Sequence, residues 1–263
     1  MSDKTITLSN KEFVFLAALL GEAVVLGVDD PFLGWLAEQV EEEWMRLSPG
    51  MFENGLIYIG VTGSYEVSPE INKFIRLCCT PDIWASVTIV KQKEGNSSFV
   101  LNLGTGDKKA VKVIKKQMNE SVELCCGGYE QKESVEVYNS LGIGNSFKNN
   151  GAGFDIPEKI FKSLTESSVE EGVIRLNDII QDNKIEIENF VKDIKAPKAK
   201  SLINIGSMKV NSSGMTSFIL IEGENSLWRV EYYDERECPM VSVRQSDSAD
   251  CIDKLERSLK MLG

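Results

Sequence analysis

This sequence predicts an α+β fold in two quasi-equivalent halves, each an antiparallel β meander with flanking helices, and three observations carry that reading. One helical phrase occurs twice. INKFIRLCCTP, from Ile71 to Pro81, and IENFVKDIKAP, from Ile187 to Pro197, share isoleucine, phenylalanine and proline at equal offsets. Each phrase is followed by four β-rich runs of strand length. The spacings also agree: Gly55 to Pro81 is 26 residues and Gly172 to Pro197 is 25, while Phe99 to Leu141 is 42 and Phe218 to Leu259 is 41. A helix, helix, four-strand meander, helix unit written twice accounts for all three. Two such units would bury their apolar sheet faces under helices about a pseudo-twofold axis.

The elements follow in order. Thr5–Leu8 (TITL) reads as a short strand, and Ser9-Asn10 can cap a helix over the apolar run Phe13–Leu20. Leu33, Leu36, Ala37, Val40, Trp44 and Leu47 form a stripe at helical spacing, with Glu38, Glu41, Glu42 and Glu43 mostly off it. Those glutamates read as a solvated helix face, with a docking surface for a basic partner as the alternative. Asn54-Gly55-Leu56-Ile57 is a glycine stop, and the helix Ser68–Cys79 is halted by Pro81. Trp84–Val90, Phe99–Leu103, Ala110–Ile114 and Ser121–Cys125 alternate with Gly, Asn, Ser and Asp turns as an antiparallel meander. A helix near Gln131–Leu141 closes the first half, residues 1–145.

The glycine- and asparagine-rich stretch Gly142–Gly153 reads as a linker to the second half, 146–263. There Ile156–Leu164 is expected to be helical, and Gly172-Val173-Ile174 to answer Gly55-Leu56-Ile57. Ser201–Ile205, Phe218–Ile221, Trp228–Tyr233 and Met240–Val243 are the four strands, and Ala249–Leu262 the last helix. The matched phrases place Phe74 and Phe190 in equivalent buried positions.

Composition narrows the function. With 263 residues and 42% hydrophobic content the chain can bury a real core as one large domain or two ordinary ones. It shows no basic leader and no apolar run of about 18 residues, so a cytoplasmic location without membrane insertion is expected. Six cysteines, four of them in the vicinal pairs Cys78-Cys79 and Cys125-Cys126, are too sparse for a secreted disulfide scaffold and read as reduced core residues. No disulfide and no metal site are expected. The net charge is −11, with 13 basic and 20 acidic residues over 1–146 and 16 and 20 over the remainder, so both halves repel nucleic acid and anionic lipid. A protein partner or a basic peptide fits better.

No catalytic set assembles from the sequence. Without histidine the usual triads and most acid–base sites are missing, and both cysteine pairs lie in apolar sequence that does not favour thiolates. Gly104-Thr-Gly106-Asp-Lys108-Lys lacks the frame of a phosphate-binding loop and reads as a hairpin turn. Gly142-Ile-Gly144 lacks the third glycine of a dinucleotide fingerprint. Lys108, Lys112 and Lys116 read as charges that guard a strand edge. The chain is therefore expected to be a binding protein with no enzymatic activity and no cofactor.

In this order the elements ITLSNKEFVFLAALLG, NGLI, SPEINKFIRLCCTP and FVLNLGTGD, then WRVEYY, MVSV and DCIDKLERSLKML, resemble the EspG family of type VII (ESX) secretion chaperones. The resemblance covers nearly the whole chain through spacing and residue class. The tryptophan and Gly-Arg-Tyr patterns of mycobacterial members are kept only in part, as Trp228-Arg229-Val230 and Tyr232-Tyr233. It implies a cytosolic binding protein that grips the tip of a helical-hairpin secretion substrate, WXG-like or PE/PPE-like, and keeps it soluble for export. It further implies contacts from the loop between the second and third strands and from a helical bundle of the second half. That loop maps onto Gln92–Ser98, making Gln92, Lys93, Glu94, Asn96, Ser97 and Ser98 the candidate partner-binding residues. A peptide-binding regulatory or structural protein, and a small-molecule enzyme with a carboxylate-based site, stay open as alternatives.

Overall fold

Ser9 turns the first strand into the first helix. Its hydroxyl accepts from the Glu12 N–H at 3.2 Å while the Glu12 carboxylate accepts from the Ser9 N–H at 2.7 Å, a reciprocal cap that joins β1 (Lys4–Ser9) to α1 (Asn10–Leu19). The structure, a computed structural model, describes residues 4–23, 25–92, 95–116, 121–144, 147–180, 184–208, 215–235 and 238–262. The fold is α+β with antiparallel sheet. The chain divides into two compact units, the first made of Met1–Ser86, Phe99–Gln131 and Ser207–Ser213 and the second of Val87–Ser98, Lys132–Gly206 and Gly214–Gly263.

In the first unit, α1 is followed by α2 (Ala37–Glu53), a hairpin of β2 (Ile57–Ile59) and β3 (Tyr65–Val67), and α3 (Pro69–Cys79). Then come β4 (Ile83–Lys91) and β5 (Gly95–Gly104), whose residues from Val87 to Ser98 belong to the second unit, and β6 (Lys109–Lys116) and β7 (Ser121–Gly128), ordered as a meander whose far edge is closed by β1 pairing with β7. Ile71, Ile75, Cys78 and Cys79 line the inner stripe of α3, and they pack with Phe13, Leu16, Met51, Val111 and Leu124 into one apolar cluster.

One expectation fails in this unit, and one element was not expected. The stripe counted from Leu33 does not begin a helix: α2 starts at Ala37, where the Gln39 side chain accepts from the Leu36 N–H at 2.9 Å. Asp30 instead accepts from the Phe32 N–H at 2.8 Å, and Gly34, at φ 84°, breaks the stretch, so Leu33 and Leu36 are left exposed. The β2–β3 hairpin is the second departure. Gly55, at φ 68°, ends α2 and turns the chain into it.

Glu43 ties α2 to α1. Its carboxylate accepts from Arg46 and from Lys11 at 2.7–2.8 Å, and these partners hold it down from the ordinary 4.5 to about 2. A depressed carboxyl contributes stability that is present above its unfolded value and lost as pH falls from about 4.5 towards 2. The stability gap between the wild-type protein and Glu43→Gln should therefore close over that window in thermal melts, and because solvent screens Arg46 the gap is about 1 kcal/mol or less. A gap independent of pH would remove the ion pair as its cause.

In the second unit, α4 (Glu133–Ser140) packs on the C-terminal helix, and β8 (Gly153–Pro157) leads into α5 (Glu158–Glu166), α6 (Val169–Ile179) and α7 (Lys184–Lys195). β9 (Ala199–Ser207), β10 (Met215–Glu222), β11 (Leu227–Glu235) and β12 (Cys238–Ser246) form the second meander, ordered β9-β10-β11-β12-β8, before α8 (Ser248–Leu262). β8 pairs with the fourth meander strand here, as β1 does in the first unit. Phe190 centres the core, with ring centroids 5.3 Å from Phe154, 5.2 Å from Trp228 and 6.4 Å from Phe161.

Three further corrections fall in this comparison. Ile156, expected in a helix, is a buried strand residue of β8, because Phe154 and Ile156 alternate inward with polar neighbours between them. Gly172 is no counterpart of the Gly55 turn: it sits inside α6, where an added Cβ would come within 3.0 Å of Val191. Phe74 and Phe190 are not equivalent in burial. Phe190 is fully buried, whereas Phe74 is half-buried at the core margin with the Lys73 ammonium 5.1 Å from its ring centroid.

Candidate functional site

The β-branched run of β4 carries the chain outward, and Gly95, at φ 81°, helps reverse it into β5. The segment singled out from the sequence is thus the tip of a hairpin, and all of it belongs to the second unit. Gln92 is exposed, and its backbone N–H donates to the Lys198 carbonyl at 3.3 Å, fixing the tip to the residue that precedes β9. Lys93 and Glu94 lie outside the described residues. Asn96, Ser97 and Ser98 are exposed but are strand residues, the opening of β5 rather than loop. Strand geometry places Asn96 and Ser98 on one face and Ser97 on the other.

The same unit supplies a helical layer in which α5, α6 and α7 pack on one another. α6 leaves Ile174 and Ile179 exposed, at 61% and 44%, and Tyr232 is half-exposed where its ring meets Phe161 edge-on at 5.9 Å. Val90 of β4 and Leu202 of β9 are likewise exposed. Sequence reasoning missed Ile174 and Ile179 because it took Gly172–Ile174 for a turn. The signal was present: Ser168-Val-Glu-Glu171 is a helix-start signature, and the Ser168 hydroxyl accepts from the Glu171 N–H at 3.2 Å.

Among the described residues no group of three or more histidine, cysteine, aspartate or glutamate side chains is placed to hold a metal ion. An open groove of about 390 Å³ in the first unit gathers Tyr58, Glu66, Asn72 and Lys73. Tyr58 donates to Glu66 at 2.5 Å, and Lys109 beside Lys73 holds that ammonium below its ordinary range. Glu66 is the single carboxylate of that lining.

The six cysteines are free thiols. Burial pushes Cys79, Cys126 and Cys251 up to about 12 and Cys78 well above its usual value. Core placement does not extend to all six, since Cys238 opens β12 in an exposed position and Cys125 is half-buried. A thiol-reactive dye added to the native protein should therefore label Cys238 first, and Cys238→Ser should abolish the fast phase. Simultaneous labelling of all six in the folded protein would contradict the burial.

Two meanders, each closed at its far edge by an earlier strand, β1 on β7 and β8 on β12, and each backed by helices, make this an α+β protein. Among the solved structures it resembles is that of the Mycobacterium tuberculosis type VII secretion system chaperone EspG5 in complex with the PE25–PPE41 dimer, with a TM-score of 0.61 and 12% identity over 98% of this chain and 95% of that one. At that identity the likeness is one of fold. No protein-family profile and no curated protein matches the sequence. No helix among the described residues is long and apolar enough to cross a membrane.

Proposed function

We propose that this chain is a chaperone-like binding protein that holds the end of a helical-hairpin secretion substrate of the PE/PPE kind, without catalysis, and keeps it competent for export. The observation that supports this is the match over 98% of the chain to EspG5, a type VII secretion chaperone whose structure holds a PE–PPE dimer. The exposed hairpin residues Gln92, Asn96, Ser97 and Ser98, with Ile174 and Ile179 of α6 in the same unit, are the contact surface in this reading. A specific complex of this kind buries about 800 Å² per partner.

The test is co-purification from the native host with bound proteins identified by mass, repeated with Asn96→Arg/Ser98→Arg and with Ile174→Asp. All three side chains are exposed, so the variants should melt as the wild type does while losing the helical partner. Variants that fold and retain the partner would remove these residues from the surface. Purified protein that turned over a metabolite would remove the chaperone reading itself.

A further inference from the structure

The first unit carries an aromatic row that its own core leaves open at both ends. Trp35, Phe32, Phe15, Trp44 and Tyr65 are joined ring to ring at 5.4, 4.7, 5.2 and 5.6 Å between successive centroids. The middle of the row is core, with Phe15 buried and Phe32 and Trp44 half-buried against it. At one end Leu33 and Leu36 flank Trp35 with 85% and 67% of their surfaces exposed. At the other, Ile59 is paired across β2–β3 with Tyr65 and is 58% exposed, and Val61 in the hairpin turn is fully exposed. Large apolar side chains gathered this way mark an interaction surface rather than ordinary scatter.

Charge identifies what would cover it. Along α2, Glu38, Glu41 and Glu42 are exposed and have no ion-pair partner among the described residues, whereas Glu43 on the same helix is held by Lys11 and Arg46. Met45, exposed, follows Glu38 and Glu41 at i+7 and i+4, so acidic and apolar groups share one face of the helix. We propose that this face docks a cationic amphipathic helix of another protein, its apolar side on the aromatic row and its lysines or arginines against the α2 glutamates. The four ring-to-ring steps add up to about 20 Å at most from end to end, a length that a helix of about 14 residues covers at about 1.5 Å per residue. A second copy of a chain with net charge −11 would bring two unpaired glutamate rows together. The surface lies wholly in the first unit and does not depend on the chaperone reading above.

The probe is a leucine/lysine amphipathic helical peptide of about 14 residues, set beside its leucine/glutamate counterpart and a scrambled leucine/lysine peptide that has no apolar face. Titrated against the full chain by calorimetry, the first should bind with a Kd of about 1–10 μM and the other two at least about tenfold more weakly. Leu36→Asp and Val61→Asp should each weaken binding about tenfold or more with unchanged circular dichroism, and Glu38→Gln/Glu41→Gln should weaken it several-fold and flatten its salt dependence. Equal binding of the scrambled peptide, no binding of the first, or indifference to Leu36→Asp and Val61→Asp would overturn the proposal. A dimer in sedimentation that Leu36→Asp dissociates would assign the face to a second copy and would overturn it as well.

Discussion

Replacing Phe190 by alanine should cost about 3–5 kcal/mol of stability, while the matching change at Phe74 should cost roughly 1–2 kcal/mol because that ring sits at the core margin, partly in water already. Phe190 is fully buried and touches the rings of Phe154, Phe161 and Trp228, so truncation removes its apolar transfer energy and opens a cavity bounded by three rigid aromatics that cannot collapse into it. The measurement is urea unfolding followed by indole fluorescence, since Trp228 lies 5.2 Å from Phe190 and reports on this core. Equal losses for Phe74→Ala and Phe190→Ala would show that the asymmetry in burial does not govern the energetics.

Gly223→Ala should be nearly as damaging, at about 2–4 kcal/mol, although it adds a single methyl group. A Cβ on Gly223 would collide with the Asp193 carboxylate of α7. That carboxylate cannot move freely. It accepts from the Trp228 indole N–H at 2.9 Å and from the Ser226 hydroxyl, so displacing it leaves a buried indole N–H without an acceptor. Because one group mediates both effects, Asp193→Ala and the double variant Asp193→Ala/Gly223→Ala should be nearly equal in stability, with the two single losses far from additive. A Gly223→Ala protein within about 0.5 kcal/mol of wild type would show that the β10–β11 turn absorbs the methyl group.

The fold was legible where local chemistry and tertiary packing agree. Ser9 with Glu12, Pro69 at the start of α3, and the turn residues between β-rich runs each point to one structure, and helices, both meanders and the cap lie where those residues put them. Legibility failed where one signal was allowed to stand for two. Leu33 and Leu36 continue the apolar period of α2, but periodicity does not reveal that Asp30 and Gly34 close a turn just before it. Ile57–Ile59 and Phe154–Ile156 are strands too short to show an alternation against background, and β8 is fixed by its pairing with β12, a partner about 85 residues away. Gly172 was misread by analogy with Gly55. One glycine supplies a left-handed backbone and the other supplies room, and the letter is the same.

Of the candidate surface, the hairpin around Gln92 was visible as polar turn chemistry, but that Asn96–Ser98 are strand residues depends on where the pairing starts. Ile174 and Ile179 were hidden by the same misreading that hid α6. The aromatic row could not be read at all, since Phe15, Phe32, Trp44 and Tyr65 come from separate segments and meet only in the folded unit.

The pairing of β1 with β7 also sets a timetable for synthesis. Residues 4–9 are made well before the strand they hydrogen-bond with, which begins at Ser121. At about 5–20 residues per second, roughly 6–22 s of translation separate the two. Through that interval Ile6 and Leu8, buried in the finished unit, lack the strand they pair beside, and the segment is a free apolar strand open to holdase binding. The sheet of the first unit thus closes on a strand made long before its partner.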